Sequence, residues 1–326
     1  MEKINWGIIG CGDVTEVKSG PAFSKVKDSS LIAVMRRNAE MAKDYAFRHN
    51  VPKWYDNAYE LINDPEVNAI YIATPPSSHE EYTLAALHAG KPVYVEKPMS
   101  LDAVSASGMN ETAAALNVKM VVAHYRRMQP MFKKIFQIIF DGKLGKIILA
   151  TIDYYKKGLT PEELKIPKTS WRVNSAISGG GLFHDLAPHQ LDLMCYLFGN
   201  IHEANGVSAK NSDVYDAADV VSGNILFENG IIFSGRWCFN VAEERQRDVC
   251  EITGSDGSLR FSIFGEPKIE MLTKEGIENI SFEPLEHVQM PMIKAVVEYF
   301  LGRDNNPCPG IDGVKVMKLI DQFTCR

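Results

Sequence analysis

The chain has 326 residues, 45% of them apolar and 23% charged, with a formal net charge of −6. This length suits two domains and a core large enough to need no disulfide or metal staple. An acidic balance without a basic stripe argues against nucleic acid or a membrane surface as partner, and no apolar run is long enough to cross a bilayer. The N-terminus, MEKINWGIIGCG, enters a strand almost at once and lacks signal-peptide architecture. Six cysteines, Cys11, Cys195, Cys238, Cys250, Cys308 and Cys325, include no CxxC pair. Several fall in apolar strand or helix patterns, as buried reduced thiols do. A cytoplasmic location is the expectation.

Short apolar runs at Ile4–Ile9, Leu31–Met35, Ala69–Ala73, Pro92–Val95 and Lys119–Ala123 read as strands. Between them, Val14–Lys25, Ala39–His49, Asp56–Ile62, His79–Ala89 and Leu101–Leu116 read as helices. This βα alternation predicts an α/β, Rossmann-type, doubly wound parallel sheet over residues 1–123. Such a sheet binds ligands at the C-terminal ends of its strands.

After Ala123 the pattern changes. A helix over Met131–Asp141 precedes a strand at Ile147–Tyr155, and "SGGG" leads into a helix near Leu186–Leu197. From Ala204 to Met271, strands follow one another through turns such as "ENG" and "GSDGS". Val288–Leu301 and Gly313–Phe323 look helical. Residues 124–326 therefore read as an α+β domain with a large, mainly antiparallel open sheet. It is expected to carry substrate binding and self-association, as a homodimer or homotetramer. The short join near Ala123–Pro130 predicts close packing over a cleft.

"INWGIIGCGDVTEV" sets Gly10 and Gly12 after a strand and before a helix. There Gly10 permits a tight turn, and Gly12 lets the backbone approach a pyrophosphate at the helix N-terminus. Gly10, Cys11, Gly12, Asp13 and Val14 are the candidate cofactor residues of this turn. Thr15 stands where the fingerprint has its third glycine. The next strand ends "AVMRRN", with Arg36 and Arg37 where a site for NAD would present a carboxylate. Guanidinium groups suit a 2′-phosphate, so NADP is expected ahead of NAD. "YIATPPSSHEEY" forms a rigid corner at Thr74, Pro75 and Pro76, where a nicotinamide would pass. His79 after it either faces the cleft or simply caps and packs the next helix.

"VYVEKPMSLD" ends a buried strand in Glu96, Lys97 and Pro98. Either solvent has begun, or the strand aims Lys97 into a cleft. "GGGLFHDLAPHQLDL" sets Asp185 and His189 one turn apart on one helix face. Asp185 is a plausible N-cap. His189 has the chemistry for acid/base work near neutral pH. Taken alone, the pair is equally a capped helix with a core histidine. His184 and His189 differ by roughly 140° around a helix, so no catalytic metal site is expected.

The glycine turn, "ATPPSSH", "EKP" and "GGGLFHDLAPHQLDL" together resemble the Gfo/Idh/MocA family of NAD(P)-dependent oxidoreductases, over nearly the whole chain. The dihydrodiol dehydrogenase and anhydrofructose reductase branch is the nearer one. The resemblance implies hydride transfer between a nicotinamide cofactor and a hydroxyl or carbonyl carbon of a sugar, polyol or related cyclic alcohol. It implies that Lys97 contacts the substrate hydroxyl, that His189 exchanges the proton, and that Asp185 positions substrate. Glu96 would lie near the nicotinamide carboxamide. Trp171 and Arg172 would reach over the cofactor, and Arg127 would lie on the substrate side. Either arginine is also readable as an ordinary surface ion pair. The competing reading is a non-catalytic NAD(P)-binding regulator of the same fold, against which Lys97, Asp185 and His189 all speak.

Overall fold

A computed structural model describes residues 2–324; Cys325 lies outside them. The chain forms two compact units. The first is Met1–Gln129 with Leu285–Met317, and the second is Pro130–Pro284 with Lys318–Arg326.

The first unit holds a six-stranded sheet of β1 (Ile4–Ile9), β2 (Ser29–Met35), β3 (Lys53–Tyr55), β4 (Ala69–Ile72), β5 (Val93–Val95) and β6 (Met120–Val122). All its pairings are parallel, and the order is β3-β2-β1-β4-β5-β6. This is the doubly wound order, which places its switch point between β1 and β4. β4 and β5 are buried along their whole length, as strands covered on both faces must be. β3 is a three-residue, half-exposed edge strand, too short and too wet to show in the sequence pattern.

The expected helix Val14–Lys25 is two helices, Asp13–Val17 and Gly20–Lys25. Tyr45 donates its hydroxyl to the Thr15 carbonyl at 2.8 Å, taking the acceptor that would continue the first helix. Thr15 itself is fully buried, with its hydroxyl donating to the Gly12 carbonyl at 2.8 Å.

The C-terminal segment Leu285–Met317 belongs to this compact unit as well. Partly buried polar contacts and an aromatic pair tie it there. Lys119 donates to the Tyr299 carbonyl at 2.7 Å, and Arg127 pairs with Asp312 at 2.8 Å. Trp6 packs on Phe300 with ring centroids 5.6 Å apart.

The second unit holds an eight-stranded sheet of β7 (Ile147–Lys157), β8 (Ile201–Ala209), β9 (Val220–Phe227), β10 (Ile232–Val241), β11 (Arg247–Gly254), β12 (Gly257–Phe261), β13 (Lys268–Thr273) and β14 (Gly276–Ser281). Its order is β14-β13-β12-β11-β7-β10-β9-β8, antiparallel except where β7 meets β10. Period-two alternation explains its two faces. Along β10, Phe233, Trp237 and Phe239 are buried, while Ile232 and Arg236 are exposed. On the covered face, the helix Leu182–Phe198 meets the sheet through Phe183 against Trp237, and the Trp237 indole donates to Gln190 at 2.6 Å. On the other face, Asp153 is buried and holds Arg236 through two bonds at 2.7 and 2.8 Å.

Candidate active site

At the switch point, β1 runs into the glycine turn. Gly10 has φ +94°, and a Cβ there would lie 2.8 Å from the Thr74 amide nitrogen. Both the backbone and the approach of the β4 corner therefore require glycine. Gly12 differs: its φ is −132°, and a Cβ would meet nothing nearer than the Gly10 carbonyl at 4.0 Å. The protein's own packing does not ask for glycine here. The open space over Gly12 suits a backbone approached by a dinucleotide, so this turn fits such a group.

The amides of Gly10 and Cys11 both donate to the Met35 carbonyl, at 2.9 and 3.1 Å. Contact with an anion therefore falls to the residues that follow, Gly12, Asp13 and Val14. The Cys11 side chain is fully buried, and burial pushes its thiol up to about 11. Arg36 is half-buried, with its guanidinium 3.5 Å from the Cys11 carbonyl, beside the turn. Arg37 is exposed. Just beyond the turn, Arg48 holds Glu16 bidentately at 2.8 Å, which draws that carboxyl down to about 2.

At the corner after β4, the Thr74 hydroxyl is buried with no hydrogen-bond partner among the described residues. His79 opens the next helix but presents neither ring nitrogen to open space. Nε2 lies 2.8 Å from the Thr74 carbonyl, and Nδ1 lies 2.9 Å from the Pro98 carbonyl.

The turn after β5 rests on a buried polar network. Glu96 is 5% exposed. Its Oε1 accepts from the Tyr71 hydroxyl and from Gln289 Nε2, both at 2.6 Å, and its Oε2 accepts from the Lys97 amide at 3.1 Å. Gln289 in turn accepts from the Tyr94 hydroxyl at 3.1 Å. Burial, and then the neighbouring Glu96 carboxylate, push the Tyr71 hydroxyl well above its usual range. Glu96 thus anchors the turn from beneath, while Lys97 at its tip is half-buried. Sequence reasoning missed Tyr71 and Gln289. The first hides in an apolar strand, and the second comes from the distant C-terminal segment.

Arg127, expected on the substrate side, is 3% exposed and paired with Asp312 inside the first unit. A nearly dry guanidinium needs such a partner. The pair is a buried one, not the surface ion pair that the sequence offered as the alternative.

In the second unit, the helix Leu182–Phe198 starts earlier than expected. Its N-cap is Gly181, and Asp185 lies within its first turn, with its amide donating to the Gly181 carbonyl at 3.2 Å. Asp185 is therefore not the N-cap; the glycine run allows the backbone to begin the helix sooner. A Cβ on Gly180 would come 2.1 Å from the His184 ring, so that glycine leaves room for a fully packed histidine. His184 is 1% exposed and edge-on to Phe183.

Asp185 accepts from Arg172 Nε at 3.0 Å, and the Arg172 guanidinium lies 4.7 Å from the Trp171 ring centroid. His189 is 3% exposed, with its ring edge-on to Phe264 at 5.8 Å. Three backbone amides, from Ile263, Phe264 and Gly265, hold the Phe264 loop on the Asp248 carboxylate. Among the described residues, no group of three or more His, Cys, Asp or Glu is placed to hold a metal ion. No helix among them is long and apolar enough to cross a membrane.

Comparison with known proteins gives two family matches. Residues 4–124 match the oxidoreductase family with an NAD-binding Rossmann fold, and residues 132–260 match the GFO/IDH/MocA C-terminal domain. Oxidoreductase P35 of Formosa agariphila is 45% identical over 322 residues, covering 98% of each chain. A 1,5-anhydro-D-fructose reductase of Ensifer adhaerens is 26% identical, over 95% of this chain and 92% of that one. In structure, a levoglucosan dehydrogenase solved with NADH and levoglucosan superposes with TM-score 0.85 at 21% identity, over 98% of this chain and 96% of that one.

Proposed function

Because the chain belongs to the Gfo/Idh/MocA family of oxidoreductases, we propose that it transfers a hydride between NADP(H) and a hydroxyl or carbonyl carbon of a sugar, polyol or related cyclic alcohol. The observation that carries this reading is Lys97, half-buried at the C-terminal end of the buried parallel strand β5, in a turn held by a carboxylate whose two oxygens accept three hydrogen bonds. Ligands of such sheets bind at that end of the strands.

The nicotinamide ring, when bound, gives or takes the hydride. The protein's part is the proton and the orientation. In the oxidation, the substrate carbon loses a hydride and its hydroxyl loses a proton, leaving a carbonyl. We assign Lys97 to the hydroxyl oxygen, His189 to the proton, and Asp185, oriented by Arg172, to the positioning of a substrate hydroxyl. Purified protein with NADPH and a panel of sugar and polyol carbonyl compounds tests the reading. Loss of NADPH absorbance with one of them supports it, and no turnover of any of them with either cofactor overturns it.

Cofactor choice follows from Arg36 and Arg37. Arg36 beside the glycine turn can bind a 2′-phosphate through charge-assisted hydrogen bonds, and no carboxylate stands next to it in the strand to repel that group. NADPH is expected to bind more tightly than NADH, and the double change Arg36→Ala, Arg37→Ala to remove most of the difference. A contact of about 1.5–3 kcal/mol corresponds to roughly tenfold to hundredfold. Fluorescence titration of the two reduced cofactors decides it; equal dissociation constants in the unmodified protein would reverse the assignment in favour of NAD.

The second sheet offers a surface for self-association. Its uncovered face carries Leu149 and Ile232 side by side and an exposed Val207. We propose a homodimer or homotetramer through this face. Sedimentation equilibrium of the unmodified protein should show it, and Ile232→Asp should shift it toward monomer; a monomer at all concentrations would exclude it.

A further inference from the structure

Histidine 79 is fully buried, yet each of its ring nitrogens faces a backbone carbonyl: Thr74 at 2.8 Å from Nε2 and Pro98 at 2.9 Å from Nδ1. Carbonyl oxygens only accept hydrogen bonds. A neutral imidazole has one N–H to give, and only the imidazolium has two. The two carbonyls belong to the two loops that matter most in the first unit. Thr74 forms the corner after β4, packed against the glycine turn, and Pro98 follows Lys97 after β5.

We infer that His79 is a positioning residue that clamps the β4 corner to the Lys97 turn, gripping both when its ring carries two protons and only one when it carries one. The inference rests on the functional reading above, since it gives the clamp something to align. In the neutral ring, one nitrogen presents a lone pair to a carbonyl lone pair, so that end of the clamp opens. Two side chains set the balance electrostatically: Glu96 favours the doubly protonated ring and Lys97 opposes it. Burial also opposes the charge and is the largest influence, so the ring titrates below its ordinary 6.5. The complete clamp is thus the acid-side state, and it is lost as pH rises through the ring's midpoint.

The test uses the full chain with 15N-labelled histidine and no ligand. Ring-nitrogen spectra are recorded from pH 5 to pH 8.5, and His79→Gln identifies the His79 signals. The expected result is protonation of both ring nitrogens at the acid end, with one proton lost as pH rises. With a substrate from the carbonyl panel, turnover should fall through the same midpoint. His79→Gln should remove that inflection and lower acid-side turnover by about tenfold to hundredfold, the scale of a small misplacement of reacting groups. Cofactor affinity should change far less. A ring with a single proton across the whole range overturns the clamp, as does an inflection that survives in His79→Gln. The spectrum of the unmodified protein needs neither a substrate nor a folded variant, so it decides the clamp apart from the proposed activity.

Discussion

Replacing Lys97 or His189 by alanine is expected to lower turnover by about a hundredfold to ten-thousandfold, the usual contribution of an acid/base group, while dinucleotide affinity stays within a few fold. The proposed dinucleotide turn runs from Gly10 to Val14 beside the β4 corner, segments to which neither residue belongs. Glu96 holds the Lys97 turn through the Lys97 backbone amide, a contact that Lys97→Ala keeps. If both groups serve one proton, the double variant should be little worse than the poorer single one. Losses that multiply would assign them to separate steps. Asp185→Asn should act differently. It weakens the pair with Arg172 and should raise KM more than it lowers kcat. Full turnover in His189→Ala across pH 6 to 9 would make the helix face structural and move the proton transfer to another group.

The parts legible in the sequence are those whose cause is local. β4 and β5 show as apolar runs because both their faces are buried, and Lys97 stands out because a charge ends such a run. Gly12 stands out beside Gly10 in the turn after a strand, although the protein's own packing leaves room for a side chain there. The parts that escaped depend on distant partners. Arg127 looks like any arginine until Asp312, 185 residues later, is laid against it. Gln289 meets Glu96 across 193 residues, a separation that no periodicity encodes. Asp185 reads as a cap because acidic residues favour helix starts, but the glycine run ahead of it lets the helix begin sooner. His79 is visible as a lone histidine, and its two carbonyl partners emerge only when β4 and β5 lie side by side.

Gln289→Leu is expected to destabilise the first unit by about 3 kcal/mol or more. The side chain is 1% exposed and works at both ends, donating to Glu96 at 2.6 Å and accepting from Tyr94 at 3.1 Å. A hydrogen bond to a charged group contributes about 1.5–3 kcal/mol, and a buried hydroxyl left without its acceptor costs about 1–3 kcal/mol. Leucine restores neither, and its added contact with the stacked Tyr71 and Tyr94 rings cannot solvate a carboxylate. Tyr71→Phe removes another donor from the same oxygen, so the two losses should not add. Urea unfolding can be followed by the fluorescence of Trp6 and Trp54, both in the first unit, with Trp171 and Trp237 of the second replaced by phenylalanine. A midpoint shift worth less than about 0.5 kcal/mol would match an ordinary surface change. In that event the network would not be what holds the C-terminal segment beneath the lysine turn, and the aromatic contact of Trp6 with Phe300 and the Lys119 bonds would carry that attachment instead.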